Sequence, residues 1–414
     1  MVKPVEVGLF EDDIREVVSR YYRLQGDVHQ GTVLDYWIEH FGGSPSGFLA
    51  DHYDLRIKVN NDENTTDELS FFLKVIPTKN DVLANYLNEM GSFRKEVTLF
   101  QNILPKIYEL VPTKQVMPRC LLTKDENLLV MENVKLKGFD ILKDNHGFMD
   151  YAFLTKALES LAHIHAGSII LEERDKVSLV EKFPNALREN GWTGVGTRKR
   201  DVENVIVLWC EFMRIVERDS SKLKKILAEL PGTIRRMYDY VKPSQKWRNV
   251  LNHGDLWSNN VMFKTSASGD PQDCILVDFQ LSRYTPAAYD VNLLLALTTT
   301  GEFRSQHMVS LLDNYFSTFQ SILTDNKIDP NVVYTKDEFL ESCEYYRLAG
   351  QIHGCVIAPE VLLPQCYLDQ VFDSGAECAG FMPQSKVQIC LQAFRNDHFY
   401  RDRVMEMIQE LITQ

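Results

Sequence analysis

The chain contains 414 residues, of which 44% are hydrophobic and 25% are charged. These fractions are ordinary for a globular protein, so they exclude a largely disordered or collagen-like chain. Its 58 acidic residues outnumber its 45 basic residues, which gives a formal net charge of −13. An acidic chain does not favour contact with the phosphates of nucleic acid or with an anionic membrane. We therefore expect neither nucleic acid nor a membrane among its partners.

The cysteines and the N-terminal sequence indicate in which cellular compartment the protein is expected. Eight cysteines are spread along the chain without a CxxC pair, a spacing that argues against a zinc site. We interpret them as free thiols in a reducing compartment. The N-terminal sequence lacks the apolar core of a signal peptide, and runs such as Leu69–Ile76 are too short to cross a bilayer. The sequence thus predicts a cytoplasmic protein, and it does not indicate an oligomeric state.

The first elements in chain order are a helix and a β-hairpin. Asp12 or Asp13 can cap the helix, which carries one apolar stripe. The alternation within 53–59 is typical of a half-buried strand, and Leu69–Ile76 reads as a second strand. A polar, turn-rich stretch separates the two, so we predict a hairpin with a long connection.

A helical pattern over 83–104 follows, and then a second hairpin whose strands flank Lys124–Asn127. Beyond residue 135 the pattern is mainly helical, interrupted by strand-like pieces at 249–264 and 274–279. The predicted helices of this part lie at 151–165, 290–300, 305–324, 336–358 and 385–412, and one or two more lie within 202–240. No Pro/Ser-rich linker separates the two parts. We therefore predict an α+β protein with two lobes and a cleft between them: a β-rich N-terminal lobe, 1–134, and a helical C-terminal lobe, 135–414.

One short segment carries the strongest chemical signal. In LNHGDLWSNN, His253 precedes Asp255 by two residues, and Asn260 follows five residues later; Asp278 lies further on, after another short apolar strand. Phosphoryl transfer needs one carboxylate beside the attacking hydroxyl, and an amide oxygen and a second carboxylate around magnesium. The alternative is that the Asp and Asn residues only form turns and that the histidine is a buried structural residue. The combined spacing favours the chemical interpretation.

These motifs resemble those of the ecdysteroid-kinase-like proteins, a branch of the aminoglycoside phosphotransferase and choline kinase superfamily with the protein-kinase fold. The resemblance extends from about Phe41 to the C-terminus and is most specific around 252–292. The segments that carry it are FRKEVTLF, LLVMENV, LESLAHIHAGS, NHGDLWSNNVMF and ILVDFQLSRYTPAAYDVNLLL.

The resemblance implies roles for the residues of these motifs. Asp255 would be the catalytic base, and Asn260 and Asp278 would bind the magnesium ion. His253 would be a structural part of the catalytic loop. Asp290 would either steady that loop or simply cap the helix that follows.

The N-terminal lobe supplies the expected nucleotide contacts. Lys74 ends the apolar run FFLK, and a lysine is costly to bury unless it is paired. Glu96, on the following helix, is its expected partner; the alternative is a snorkelling lysine and a solvated glutamate. The resemblance implies that Lys74 contacts the phosphates of ATP. It also implies that the backbone of Glu132–Val134 hydrogen-bonds the adenine ring, with Met131 beside it.

The chain departs from the kinase pattern at three places. It has no G-x-G-x-x-G, so Gly47, in a glycine-bearing stretch, is the candidate for a phosphate-covering loop, with an ordinary turn as the alternative. Phe72 stands where protein kinases have a small residue, which predicts a bulkier cover over the adenine. Asp278 is followed by Phe-Gln rather than Phe-Gly, so a glycine-dependent flip of that loop is not expected.

The sequence therefore predicts a kinase that uses ATP and Mg²⁺ to phosphorylate a hydroxyl of a small metabolite. The acceptor would lie between the 167–250 insertion and the helices after 300. Aromatic residues of this insertion would suit an apolar acceptor such as a steroid alcohol, an ecdysteroid for example, although such side chains more often belong to the core. They are Phe183, Trp192, Trp209 and Phe212.

Two other functions remain open at this point. A choline- or ethanolamine-type kinase would need an aromatic or acidic cage for a cation. A pseudokinase would serve as a nucleotide-binding module without turnover.

Overall fold

The computed structural model describes residues 3–26, 31–41, 50–60, 65–77, 81–142, 147–373 and 382–412. The expected phosphate loop around Gly47 lies outside these residues, as does Cys378. The other cysteines are free thiols. Within the described part of the chain, no helix is both long and apolar enough to cross a membrane.

A five-stranded antiparallel sheet forms the N-terminal lobe, in the spatial order β1-β2-β3-β5-β4. The strands are β1 (Thr32–His40), β2 (Asp51–Asn60), β3 (Thr66–Val75), β4 (Cys120–Lys124) and β5 (Leu128–Glu132). Both predicted hairpins are confirmed. The edge strand β1 is not predicted from the sequence, because Ile38 is its one buried residue and the strand shows no regular alternation.

Helix α1 (Glu11–Leu24) packs its apolar stripe against this sheet. The predicted cap is wrong, because Phe10 occupies the cap position. The Asp13 carboxylate reaches back from the first turn and accepts a hydrogen bond from the Phe10 N–H at 2.8 Å. The same carboxylate pairs with Lys124 Nζ at 2.6 Å, which ties the helix to β4.

The single helix predicted over 83–104 is three helices: α2 (Asp81–Met90), α3 (Ser92–Asn102) and α4 (Leu104–Leu110). The first break is at Gly91, whose φ of 65° favours glycine. The second break is at Ile103. The helix α4 that follows has a proline in its first turn, where a backbone N–H would have no partner within the helix, so the proline costs no hydrogen bond. The breaks let α3 take its own direction and pack against β4 and β5.

The C-terminal lobe is mainly helical, as predicted. Its helices are α5 (Tyr151–Asp175), α6 (Leu179–Lys182), α7 (Pro184–Leu187), α8 (Gly196–Val216), α9 (Ser220–Arg235), α10 (Met237–Tyr240), α11 (Ala288–Thr298), α12 (Gly301–Asp325), α13 (Pro330–Val333), α14 (Lys336–Val361), α15 (Gln365–Asp373), α16 (Gln384–Asn396) and α17 (His398–Ile412). The predicted C-terminal helix is thus split in two at Asp397, and α15 is not predicted.

Helix α11 lies at the centre of this lobe, and all of its residues are buried. It packs against α14 at Gly350, where a Cβ would come within 2.7 Å of the Asn292 backbone. A larger residue at this position would therefore force the two helices apart.

Two small sheets bring the acidic motifs together. The strands β6 (Phe139–Asp140), β8 (Val261–Thr265) and β9 (Pro271–Leu276) form one, and β7 (Asn249–Asn252) pairs with β10 (Arg283–Pro286) in the other. The strand β9, directly before Asp278, forms a hairpin with β8, whereas β7, directly before the HGD segment, pairs with β10. Because Val261 pairs with Leu276, residues 260 and 278 lie at the same end of the β8–β9 hairpin.

Candidate active site

The loop that follows β7 is held by a buried carboxylate. Asp290 accepts hydrogen bonds from the N–H groups of His253, at 2.5 Å, and Gly254, at 2.9 Å. It also lies 3.3 Å from His165 Nε2. Asp290 sits in the first turn of α11, whose cap position belongs to Ala287. Of the two interpretations left open by the sequence, the geometry matches the one in which Asp290 steadies the loop.

Gly254 and His253 join this loop to the one that carries Asp278. Gly254 has a φ of 81°, and a Cβ there would lie 2.2 Å from the carbonyl oxygen of Leu281. His253 Nε2 is 2.8 Å from the Val277 carbonyl oxygen, and its ring packs on Phe279. The two loops therefore contact each other directly, as the predicted structural role of His253 requires.

Asp255 and Asn260 are hydrogen-bonded to each other. Asn260 Nδ2 donates to the Asp255 carbonyl oxygen at 2.8 Å and to Oδ2 at 3.1 Å. Desolvation in the cleft, and then the charge of Asp278, raise the pKa of Asp255 to about 7, against the opposing effect of Arg283. A carboxyl group that titrates near neutral pH is well matched to general-base chemistry.

A buried lysine connects the two lobes. Lys74 Nζ lies 2.7 Å from Glu96 Oε2 and 2.9 Å from Asp278 Oδ1, and the residue is 3% exposed. Burial alone would lower the pKa of Lys74, but the Asp278 and Glu96 carboxylates outweigh it and raise the pKa, so the ammonium stays charged. Glu96 Oε1 also accepts a hydrogen bond from the Phe279 N–H at 3.1 Å. The predicted pairing of Lys74 with Glu96 is therefore present in the geometry, and Asp278 joins it.

The donor atoms near Asp278 fit a magnesium ion. Although burial opposes it, the neighbouring Lys74 lowers the pKa of Asp278, so its carboxylate is ionised. Asn260 uses its Nδ2 toward Asp255, which leaves the amide oxygen as the atom that would face a cation. Magnesium commonly takes one or two protein oxygens and completes its shell with phosphates and water. The described residues contain no cluster of three or more His, Cys, Asp or Glu that could hold a metal.

A cavity of about 400 Å³ lies between the lobes and contains these side chains. Its wall includes Met131, Glu132 and Val134, the segment expected to hold adenine. The Glu132 carboxylate is bonded to Gln115, to the Arg119 N–H and to Lys137, and the Glu132 N–H donates to the Arg119 carbonyl oxygen at 2.9 Å. Phe72 and Phe41 also line the cavity and pack edge-to-face, with ring centroids 4.9 Å apart. Phe72 therefore adds a bulky side chain to this wall, and its place over an adenine stays a prediction.

His52 is a cleft residue that the sequence analysis missed. It pairs with Lys74 across β2 and β3, lines the cavity and packs on Phe72. Burial, and then the Lys74 charge, lower the pKa of His52 to about 4, so the imidazole is neutral at physiological pH. The register of the β2–β3 hairpin places His52 opposite Lys74. The apolar alternation of the strand does not contain this information, so the sequence analysis could not identify His52.

Lys95, next to Glu96 on α3, is a second missed residue. Its ammonium donates to the carbonyl oxygens of Arg188 and Ser282 and to Asn190 Oδ1, at 2.6, 2.7 and 2.8 Å. The side chain is 2% exposed, and burial lowers the pKa of Lys95 to about 7. No apolar face marks Lys95 in the sequence, because its neighbours one helical turn away are Gly91, Ser92, Thr98 and Leu99.

The other part of the cavity is lined by the C-terminal lobe, where the acceptor was expected. Of the four aromatic residues proposed for it, Trp192 lines the cavity, whereas Trp209 and Phe212 are completely buried in the core. Phe183 packs against Lys106 and Lys182. The core interpretation is therefore correct for Trp209 and Phe212. The additional lining residues, which the sequence analysis did not single out, are Arg198, Leu281, His353, Val356, Ile357, Glu360, Val361 and Lys386.

Comparisons with known proteins agree with this architecture. Residues 46–328, more than half of the chain, match the model of the ecdysteroid kinase-like family. The chain is also similar to an uncharacterised kinase-like protein of Caenorhabditis elegans, with 27% identity over 184 residues. That alignment covers 42% of this chain and 42% of the nematode protein. The match of the family model over most of both lobes shows that the chain belongs to the ecdysteroid kinase-like family.

Proposed function

We propose that the protein is a small-molecule kinase that uses ATP and magnesium to phosphorylate a hydroxyl group. The observation that carries the proposal is the meeting of Lys74, Asp255, Asn260 and Asp278 in one interlobe cavity. Family membership supports kinase-like chemistry independently. The division into lobes at 134/135 and a cytoplasmic location are parts of the same proposal.

Each residue has a defined task in this proposal. Lys74 contacts the phosphates of the nucleotide, and Asp255 accepts the proton of the attacking hydroxyl. Asn260 and Asp278 would hold magnesium, which supplies positive charge for the phosphoryl oxygens. His253 is a positioning residue that acts through the loop.

The adenine would lie at the end of the cavity that is lined by Met131, Glu132 and Val134, at and just after the end of β5. Met131 and the backbone of Glu132 and Val134 contact the adenine, and Phe72 covers it. Glu96 keeps Lys74 in place. The role of Gly47 over the phosphates remains part of the proposal, although that residue lies outside the described chain.

Transfer to an alcohol tests the proposal directly. A metabolite extract is incubated with the protein, Mg²⁺ and ATP, and mass spectrometry follows the appearance of species that are heavier by one phosphate. Asp255→Asn should reduce the rate by about 10²–10⁴-fold, the usual contribution of a general base. Asp12→Asn, an exposed aspartate on α1, serves as the matched control and should leave the rate unchanged.

Two outcomes would contradict this function. Equal transfer by the wild type and by Asp255→Asn would remove Asp255 from the chemistry. Magnesium-dependent ATP binding without transfer to any compound would favour the pseudokinase alternative.

A further inference from the structure

Ionisable side chains gather where the C-terminal helices line the cavity. Lys386 Nζ lies 2.5 Å from Glu360 Oε1, and Arg198 Nη1 lies 3.6 Å from Asp201 Oδ2. Glu360 and Lys386 are 3% and 6% exposed, yet both line the cavity, as does Arg198. Among the described residues, this group contains two acidic and two basic side chains, so their formal charges cancel.

One oxygen of this group lacks a hydrogen bond. Glu360 Oε1 accepts from Lys386, but Oε2 is buried and has no hydrogen-bond partner among the described residues. A buried carboxylate oxygen without a donor is unfavourable, because its contact with water has been lost and nothing replaces it. A ligand that brings a hydrogen-bond donor to this position would remove that cost.

The end of α14 that carries Glu360 is held from two sides. Pro359 has no N–H, so it cannot donate to the Cys355 carbonyl oxygen four residues earlier. Trp209 Nε1, from α8, donates to that oxygen instead, at 2.8 Å. The Tyr400 hydroxyl, from α17, donates to the Pro359 carbonyl oxygen at 2.6 Å. Glu360 therefore projects from a supported framework, as a binding residue requires.

The walls around Glu360 are largely apolar. They include Trp192, Val356, Ile357 and Val361. His353 also lines this part, with its Nδ1 2.8 Å from the Tyr289 hydroxyl. An apolar surface beside an unpaired acceptor oxygen suits an apolar molecule that carries a hydroxyl.

We propose that Glu360 recognises a second hydroxyl on the acceptor, separate from the one beside Asp255. The acceptor is then an uncharged, largely apolar molecule with at least two hydroxyl groups. This inference rests on the proposed kinase function. A quaternary ammonium or a primary amine fits less well, because an added cation would meet Lys386 and Arg198 as well as the carboxylates.

Binding of rigid diols, measured without turnover, tests this inference. The probes are saturated steroid diols with hydroxyls at positions 3 and 11, 3 and 17, or 3 and 20, each compared with its 3-hydroxy analogue. Calorimetry with the full chain, Mg²⁺ and a non-hydrolysable ATP analogue gives the affinities. At least one diol should bind roughly tenfold to a hundredfold more tightly than its analogue, the effect of a hydrogen bond to a charged acceptor.

Variants assign the preference to Glu360. Glu360→Gln keeps the shape and should reduce the preference to less than about threefold, because a neutral amide is a weaker acceptor. The double variant Glu360→Met with Lys386→Met removes both charges together and answers the question if the single variant does not fold. Val361→Ala, at the neighbouring residue, is the matched control: it should weaken diol and analogue equally and leave their ratio unchanged.

The inference is overturned if no diol binds more tightly than its analogue, or if the preference survives in both Glu360 variants. Failure of the kinase function is a different result. It would appear as absent phosphoryl transfer in the metabolite experiment, whereas the diol preference is measured without transfer.

Discussion

At the scale of single residues, the cleft concentrates negative charge around one ammonium group. Glu96 and Asp278 both contact Lys74, and Asp278 raises the pKa of Asp255 through its charge. A chain with a net charge of −13 must nevertheless hold a polyanionic nucleotide in the proposed function. The cleft can bind such a nucleotide only if Lys74 and a magnesium ion supply the positive charge that its phosphates need.

Asp255 should make the folded state less stable as the pH rises. Its folded pKa is about 7, whereas a carboxyl group in an unfolded chain titrates near ~4. Between these values the folded state binds a proton that the unfolded state has lost, so stability falls as the pH increases from about 4 to about 7. Asp255→Asn should therefore be more stable than the wild type at pH 8, by about 1–3 kcal/mol, and nearly equal to it at pH 4.

Urea unfolding at both pH values measures this difference. The exposed control Asp12→Asn should show the same pH dependence as the wild type. A stability gain of Asp255→Asn that is as large at pH 4 as at pH 8 would refute the raised pKa.

Replacing the interlobe lysine should damage both stability and nucleotide binding. Lys74→Met leaves Glu96 buried without its partner, and breaking a buried ion pair typically costs about 3–5 kcal/mol. It should also weaken Mg·ATP binding at least tenfold. Chemical denaturation and calorimetry measure the two effects, and Lys264→Met, at an exposed lysine of β8, should change neither. Unchanged ATP affinity in a folded Lys74→Met protein would argue against a phosphate contact.

At the scale of elements, α3 holds the loop after Asp278 through two adjacent side chains. Glu96 accepts from the Phe279 N–H, and Lys95 donates to the Ser282 carbonyl oxygen. Lys95 also reaches Arg188 and Asn190, at the start of the segment that leads to Trp192. The position of α3 therefore sets both the loop after Asp278 and one wall of the expected acceptor site.

Lys95→Met should loosen this connection. The substitution keeps the apolar stem but leaves the carbonyl oxygens of Ser282 and Arg188 and the Asn190 amide oxygen without their donor, which should cost about 2–4 kcal/mol. Hydrogen exchange should increase in residues 279–283 and 188–192 before it increases elsewhere. Arg94→Met, at the exposed neighbouring position, should stay within about 0.5 kcal/mol of the wild type. Unchanged exchange in both segments would show that Lys95 does not hold them.

At the scale of the whole molecule, the cavity between the lobes takes residues from elements far apart in the chain. Its wall runs from Phe41, at the end of β1, to Lys386 on α16. Within it, the ion pair of Lys74 with Asp278 crosses from one lobe to the other, whereas Glu96 pairs with Lys74 inside the N-terminal lobe. A ligand that bridges these groups should stabilise the two lobes together.

Binding of ATP should depend on magnesium because of this charge distribution. Without the metal, the phosphates would meet Asp255 and Asp278 at close range, so ATP affinity should fall at least tenfold in EDTA. Adenosine is the matched control, because it lacks phosphates and should bind equally with and without Mg²⁺. Thermal unfolding at a series of ligand concentrations measures both. ATP binding that is equally tight in EDTA would contradict the proposed roles of Asn260 and Asp278.

Much of this organisation follows from patterns that are local in the chain. The order of most strands and helices, the HGD segment and the second acidic motif are visible because each depends on residues close in sequence. The positions of the helix ends are less accessible: the break at Gly91 and the cap at Phe10 depend on backbone conformation and on the contact of Asp13 with Lys124.

Other features exist only after the chain has folded. His52 faces Lys74 because of the strand register, and Lys95 meets Ser282 because α3 packs beside the second loop. Glu360 and Lys386 meet because the ends of α14 and α16 pack together around the cavity. Local patterns therefore indicate which chemistry the chain can carry. Packing between distant segments determines which side chains are buried together, and with them the pKa values and the shape of the acceptor site.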